Sequence, residues 1–302
     1  MTSEPGAVSR QQKAGADDRP TADRLLLSAV RTLAAAGADS PRLTAEALLA
    51  GVLGLSRAQL LARPEQTLPA GAQARFADLV ARAAQGEPLA YLTGRREFHG
   101  LEFIVDRRVL IPRPETELLV DEALKFLAST ERAEAKVLDV GTGSGCIAVT
   151  LAVRRPRAAV TALDIAEDAL DVARLNAERH GVAGRVAFFR SDLLEGLRLL
   201  RPGFDLVCAN LPYIPTAALA GLPVARFEPV RALDGGPDGL LWVRRLLVDL
   251  PRALRPGGAA LLEIEDTRGA DALALARAAF PEARVELQQD LAGLDRIVEI
   301  FT

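Results

Sequence analysis

The chain has 302 residues, 49% of them hydrophobic and 25% charged, which is enough for one large or two modest domains with buried cores. Its net charge of -3 argues against a protein held to nucleic acid mainly by phosphate contacts, and no apolar run reaches the roughly 20 residues that span a bilayer. The two cysteines and two histidines show no metal-ligand spacing, so we expect buried thiols at Cys146 and Cys208, no structural metal, and a soluble cytoplasmic protein.

The first part of the chain is predicted to be a leader followed by helices. Residues 1–20 carry too little apolar surface to offset the entropy of ordering, and they lack the apolar core of a signal peptide, which predicts a disordered leader. Residues 21–88 repeat apolar side chains at helical spacing. Ser40 and Ser56 are placed to cap helices, and Gly86 is placed to end the last one. This segment predicts a small all-helical domain.

A change of pattern follows in residues 89–114. Apolar and polar residues alternate around His99-Gly100, as in a short hairpin, and the run Pro112-Arg113-Pro114 favours extended backbone. We therefore predict a hairpin linker here. The segment TELLVDEALKFLAS then predicts a helix that begins near Glu115 or Thr116.

From Lys136 onward, predicted strands and helices alternate. Several strands lack strict apolar-polar alternation, which is typical of strands buried on both faces of a mostly parallel sheet. Only LAG separates the last two predicted strands, ARVELQQD and LDRIVEIFT, so we expect them to pair antiparallel. The predicted domain of residues 115–302 therefore has an α/β fold. The other predicted strands are KVLDVG, AAVTALDI, RVAFFRS, FDLVCAN and GAALLEIE.

A glycine-rich turn lies in VLDVGTGSGCIAVTLA, which begins at Val137. Gly141, Gly143 and Gly145 follow a predicted strand, where glycine permits close approach of a ligand and the next helix offers free amides to a carboxylate. NAD is the usual competing ligand of such turns. The spacing G-x-G-x-G, with Asp139 before the first glycine, favours S-adenosylmethionine over a dinucleotide.

Two further carboxylates follow the next predicted strands. Asp164 is suited to accept hydrogen bonds from both ribose hydroxyls, and Asp192 is suited to face the adenine amino group. Each carboxylate has an alternative role as a cap on the helix that follows it.

The tetrad Asn210-Leu211-Pro212-Tyr213 directly follows the predicted strand FDLVCAN. The Asn210 side-chain oxygen and a main-chain carbonyl near Pro212 are two acceptors for the hydrogens of one planar NH2 group. Tyr213 can pack its ring against that group. The alternative is a plain strand-to-loop turn, since asparagine and proline are common turn residues. Together with the glycine-rich turn, the tetrad predicts methyl transfer to a planar amino or amide nitrogen, with Asn210, Pro212 and Tyr213 as catalytic residues.

These segments, with LIPRPETELLV at Leu110, GGPDGL at Gly235 and DLAGLDRIV at Asp290, resemble the bacterial peptide chain release factor glutamine methyltransferases, the PrmC or HemK family. The resemblance implies a seven-stranded Rossmann-like class I methyltransferase domain, preceded by a five-helix-like domain and a β-hairpin linker. It also implies N5-methylation of the glutamine in the Gly-Gly-Gln motif of class I release factors by a cytoplasmic protein, which we expect to be a monomer without a stable nucleic-acid partner.

The resemblance also assigns residues. Leu193, after Asp192, lies where the family places an adenine contact. Arg113 and Glu115 are expected to shape the substrate pocket, with an interdomain ion pair or an exposed turn as the alternative. The implied cofactor contacts are Gly141, Thr142, Gly143, Ser144, Gly145, Asp164 and Asn210, and the implied substrate contacts are Asn210, Leu211, Pro212 and Tyr213.

One departure from the family pattern is Leu211, where the usual tetrad reads Asn-Pro-Pro-Tyr. The tetrad Asn-Leu-Pro-Tyr also resembles the corresponding motif of rRNA adenine N6-methyltransferases, whose target is likewise a planar NH2 group. A glutamine methyltransferase of a ribosomal protein and a non-catalytic binding module are the remaining alternatives. The acidic composition, the helical segment and IPRPET favour the release factor enzyme.

Overall fold

The computed structural model describes residues 20–130, 134–197 and 203–302. The chain divides into two compact units, one ending at Thr93 and the other beginning at Gly94. The predicted disordered leader lies outside the described residues except for Pro20, so it stays a prediction.

The first unit is helical, as predicted. A capping box starts its third helix: the Ser56 hydroxyl accepts the Gln59 N–H, and the Gln59 side chain accepts the Ser56 N–H. Ser40 is an N-cap without a side-chain hydrogen bond, and Gly86 follows the fourth helix with a left-handed φ of 88°. The core of this unit includes Leu33, Leu48, Leu49 and Phe76. The helices are α1 (Ala22–Ala35), α2 (Pro41–Leu53), α3 (Arg57–Leu61), α4 (Ala70–Ala84) and α5 (Leu89–Thr93).

The second unit opens with the predicted hairpin. Strands β1 (Arg95–Phe98) and β2 (Leu101–Ile104) pair antiparallel, and both turn residues, His99 and Gly100, have positive φ. The range predicted for the linker also contains α5, which belongs to the helical unit. Helix α6 (Thr116–Ser129) has the predicted bounds.

A seven-stranded sheet forms the centre of this unit, and its strand order is β5-β4-β3-β6-β7-β9-β8. The first five strands are parallel, whereas β9 is antiparallel to both β7 and β8, as predicted for the closing pair. Strand β7 begins four residues before the predicted strand, because Leu254 already pairs with Phe204. The strands are β3 (Lys136–Val140), β4 (Ala159–Asp164), β5 (Val186–Arg190), β6 (Phe204–Asn210), β7 (Leu254–Glu263), β8 (Arg284–Gln289) and β9 (Asp295–Phe301).

Helices connect the parallel strands and cover the sheet. Strand order runs one way from β3 to β5 and the other way from β6 to β7, so a crevice opens between the carboxyl ends of β3 and β6. Cys146 and Cys208 are buried as predicted. Within the described part of the chain, no helix has the length and apolarity that crossing a membrane requires. The remaining helices are α7 (Cys146–Arg154), α8 (Glu167–Arg179), α9 (Thr216–Leu219), α10 (Leu241–Ala253) and α11 (Gly269–Ala279).

Candidate active site

The glycine-rich loop joins β3 to α7 at the crevice. Gly141, Gly143 and Gly145 have φ values of 76°, 54° and 80°, in the left-handed region that favours glycine. A Cβ on Gly141 would lie 3.0 Å from the Leu211 side chain, and one on Gly145 would lie 3.0 Å from Ala173. The loop therefore needs glycine for both its conformation and its packing.

Asp139 anchors this loop through two hydrogen bonds. Its carboxyl accepts the Thr142 hydroxyl at 2.7 Å and the Ala148 N–H at 3.2 Å. Thr142 and Ser144 are themselves buried. Burial raises the pKa of Asp139 to about 7, although its hydrogen bonds with Thr142 and Ala148 oppose that shift. Asp139 thus holds the loop against α7 rather than facing the crevice.

Asp164 is the last residue of β4. One carboxylate oxygen accepts the Gly143 N–H at 2.9 Å, and the other accepts the Ala166 N–H at 2.9 Å. Burial raises the pKa of this carboxyl, while the two N–H donors lower it. The N-cap of α8 is Ala166, so the alternative role of Asp164 as that cap is wrong. Each carboxylate oxygen accepts more than one hydrogen bond, so Asp164 keeps capacity for a ligand.

Leu193 and Trp242 form an apolar wall on the side of β5. Leu193 has a positive φ of 48°, which is uncommon for a branched side chain, and its carbonyl accepts the Ser191 hydroxyl. The Asp192 carboxylate accepts a hydrogen bond from Arg245, whose guanidinium lies 5.1 Å from the Trp242 ring centre. Sequence reasoning missed Trp242 and Arg245, although both follow the GGPDGL segment closely.

Asn210 ends β6, and its amide is held in one orientation. Its Nδ2 donates a hydrogen bond of 2.9 Å to the Thr116 hydroxyl at the start of α6. The opposite end of the amide, Oδ1, is therefore left as an acceptor. Thr116 was predicted only as a helix start, because nothing local in the sequence links it to Asn210.

The rest of the tetrad is tightly packed. Leu211 is buried against Gly141. Burial raises the pKa of Tyr213 to about 12, so its hydroxyl is protonated at neutral pH. A Cβ on Gly235 or Gly239 would come within 2.6 Å or 2.4 Å of the Tyr213 backbone, so these glycines let two segments meet there. That close approach explains the first and last glycines of GGPDGL, Gly235 and Gly239.

Arg113 and Glu115 lie at the segment before α6. The Arg113 guanidinium donates to the buried Glu228 carboxylate at 2.7 Å. Both partners belong to the second unit, so this ion pair joins the predicted linker to the sheet domain within that unit. Glu115 is exposed and precedes α6 without a side-chain capping bond.

One pocket joins the glycine loop to the tetrad. It encloses about 780 Å³ of empty space, including the part open to solvent. The predicted residues that line it are Gly141, Gly143, Asp164, Asp192, Leu193, Asn210, Leu211 and Pro212. The described lining does not include Thr142, Ser144, Gly145, Tyr213, Arg113 or Glu115. The pocket also takes in Ile165, Arg231 and Trp242, which the sequence did not single out.

Family models match both units of the chain. Residues 24–94 match the PrmC N-terminal domain, and residues 116–223 match the methyltransferase small domain. Together these models cover more than half of the 302 residues. The second match spans the glycine-rich loop, Asp164 and the tetrad.

Close relatives extend over nearly the whole chain. A release factor glutamine methyltransferase of Moorella thermoacetica is 47% identical over 277 residues, which are 91% of this chain and 96% of that protein. One from Nitratidesulfovibrio vulgaris is 44% identical and covers 92% of this chain and 94% of its own. Among solved structures, a methyltransferase from Pyrococcus furiosus is 18% identical with a TM-score of 0.48, over 77% of this chain and 98% of that chain.

Proposed function

The chain belongs to the family of release factor glutamine methyltransferases, and we propose that it transfers a methyl group from S-adenosylmethionine to N5 of a glutamine side chain. The target is the glutamine of the Gly-Gly-Gln motif in class I peptide chain release factors. The observation that carries this proposal is the shared pocket, in which Asn210 and Pro212 lie beside the glycine loop and Asp164. A donor seated on the loop and an amide held by the tetrad are then neighbours.

The pocket suits S-adenosylmethionine in its polar and apolar parts. The start of α7 provides backbone amides for the amino-acid carboxylate, whereas the N–H groups of Gly141, Gly143 and Gly145 are already donated within the protein. Asp164 accepts hydrogen bonds from the ribose hydroxyls, and Leu193 and Trp242 pack against the adenine. When bound, S-adenosylmethionine supplies an electrophilic methyl group on a sulfonium.

The tetrad suits an amide nitrogen. An amide is a poor nucleophile because its lone pair is delocalised into the carbonyl, so the enzyme must fix its position. The Asn210 Oδ1 and the main-chain carbonyl near Pro212 each accept one N–H of the substrate, and Tyr213 packs against the planar group. The rate enhancement comes mainly from this positioning. The carbon–sulfur bond of the sulfonium would break as the nitrogen–carbon bond forms, which would leave S-adenosylhomocysteine as a neutral thioether. The nitrogen would then lose one proton to solvent, so the step requires no strong base.

The partners follow from the proposed reaction. The helical unit, which matches the PrmC N-terminal domain, recognises the release factor while the sheet unit performs the transfer. The protein works in the cytoplasm, where release factors act, and it acts as a monomer. The net charge of -3 gives little attraction to phosphates, which disfavours a stable complex with RNA.

Transfer of labelled methyl from S-adenosylmethionine tests the function. The purified chain is incubated with a class I release factor, with the same factor carrying a replaced Gly-Gly-Gln glutamine, with ribosomal proteins and with ribosomal RNA. We expect label on the intact release factor alone. Label on RNA alone would instead establish the adenine reaction. Label on a ribosomal protein alone would show that the enzyme methylates a ribosomal protein and not a release factor. No label on any substrate would support a binding module.

A further inference from the structure

Glu263 is a buried carboxyl next to the tetrad whose role the proposed mechanism leaves open. It is the last residue of β7 and pairs in register with Asn210 on β6. Only 2% of its surface is exposed, and neither carboxylate oxygen has a hydrogen-bond partner of good geometry among the described residues. Burying a carboxyl in this way costs free energy unless a hydrogen-bond donor or a cation pairs with it.

Three side chains oppose the effect of burial on the pKa of this carboxyl. Burial raises the pKa of Glu263 to about 7, and the Thr116 hydroxyl, the Arg296 charge and the Asn210 amide oppose the shift. Thr116 is the same residue that accepts the Asn210 Nδ2–H at 2.9 Å. A hydroxyl that accepts from Asn210 still has its own proton to donate, and the buried Glu263 carboxylate, in register with Asn210 on the next strand, lacks a donor in the part of the chain that the structure describes.

The direction of the Thr116 proton decides which end of the Asn210 amide faces the substrate. A free hydroxyl can donate to Oδ1 or accept from Nδ2, so the amide could turn over. If the hydroxyl proton goes to Glu263, only lone pairs face Asn210, and only Nδ2 can meet them. In the turned orientation, Nδ2 would present its hydrogens to the N–H groups of the substrate amide and repel them.

We propose that Glu263 is a positioning residue that takes the Thr116 hydroxyl proton and thereby holds Asn210 with its oxygen toward the substrate amide. This inference rests on the proposed glutamine methylation. It assigns a role in substrate orientation to a residue that is not among the described residues lining the pocket.

Single substitutions separate this role from a structural one. Thr116→Val removes the hydroxyl at nearly constant shape, and Thr116→Ser retains it. Glu263→Met removes the acceptor, and Glu263→Gln keeps one oxygen. Glu299→Met is the matched control, because Glu299 is a buried glutamate whose register partner, Leu261, lies two residues before Glu263 on β7. All are assayed with the intact chain and a class I release factor.

We expect kcat to fall about tenfold in Thr116→Val and Glu263→Met, as for the loss of one transition-state hydrogen bond. Thr116→Ser and Glu263→Gln should restore most of the rate, and Glu299→Met should match wild type. Donor affinity should be unchanged throughout. The double variant Thr116→Val with Glu263→Met should be no slower than either single variant, because both act through one hydroxyl.

Two results would overturn the inference: a wild-type kcat in folded Glu263→Met, or rate losses that multiply in the double variant. If wild type itself fails to methylate the release factor, the proposed function fails instead. The two failures are therefore distinguishable.

Discussion

Arg113 and Glu228, which lie 115 residues apart in the chain, are joined by a hydrogen-bonded ion pair of 2.7 Å. The Glu228 carboxylate also accepts the Ile111 N–H at 3.0 Å. Glu228 is buried, whereas Arg113 is partly exposed. The pair ties the segment before α6 to the segment after the tetrad, so it holds two sides of the candidate active site together.

Removing the Glu228 carboxylate should destabilise the fold. Glu228→Ala leaves the Ile111 N–H without its acceptor and Arg113 without its partner, so we expect a loss of about 3 kcal/mol in the free energy of unfolding. Urea unfolding measures it. Asp168→Ala, which breaks the exposed pair with Arg231, is the control and should cost about 0–1 kcal/mol. Equal losses in both variants would argue against a special role for the buried pair.

Truncating Asn210 should remove methyl transfer without unfolding the protein. Asn210→Ala lacks the Oδ1 acceptor, so we expect kcat to drop at least about 100-fold, while circular dichroism and thermal unfolding show a folded protein. The exposed amide variant Gln289→Ala is the control. Near-normal transfer by Asn210→Ala would mean that the tetrad does not hold the substrate nitrogen.

Loss of the Asp164 carboxylate should weaken donor binding. Asp164→Ala loses the proposed ribose acceptor and the Gly143 contact, so S-adenosylmethionine should bind about 1–3 kcal/mol more weakly by calorimetry. Asp171→Ala, on the exposed face of α8, should bind normally. Unchanged affinity in Asp164→Ala would contradict the ribose assignment.

Trp242 provides a direct optical signal for the pocket, because it is the chain's single tryptophan and lines the cavity. We expect its fluorescence to shift or fall in intensity as S-adenosylmethionine is added, with the same apparent affinity that calorimetry gives. The Asp164→Ala variant should show this fluorescence change only at higher concentrations of S-adenosylmethionine. A saturating donor that leaves the emission unchanged would place the adenine elsewhere.

Asp139 should make stability depend on pH in an unusual direction. Burial raises the pKa of Asp139 to about 7, whereas an unfolded aspartate titrates at about 3.9. Between about pH 4 and 7, the native state therefore binds more protons than the unfolded state. The contribution of Asp139 to the free energy of unfolding is complete below about pH 4 and is lost as pH rises through 7. Asp139→Asn cannot ionise. Relative to wild type, its free energy of unfolding should rise between about pH 4 and 7, by up to about 4 kcal/mol.

The control for this profile is Asp106→Asn. The hydrogen bond from Arg108 lowers the pKa of Asp106, so its contribution is present above about pH 4 and is lost only at lower pH. The difference between Asp106→Asn and wild type should thus stay flat from about pH 5 to 7. A flat difference for Asp139→Asn as well would show that Asp139 ionises like an ordinary aspartate.

The local features of this protein could be predicted from its sequence. Helix and strand positions follow from periodicity over a few residues, which is why α6 and β6 have their predicted bounds. The glycine-rich loop and the tetrad are contiguous motifs, so their residues could be named before any contact was known. Parallel strands bring such motifs to one sheet edge, and Gly141, Asp164 and Asn210 do line one pocket.

Contacts between distant segments depend on how the elements pack in three dimensions. Thr116 and Asn210 are 94 residues apart, and their hydrogen bond depends on where α6 packs against the sheet. Trp242 lines the pocket because the chain after β6 places the start of α10 there. Glu263 lies in register with Asn210 because β7 pairs with β6. Hydrophobic periodicity carries no information on such pairs. It indicates which face of a segment is buried, but not which other segment packs against that face.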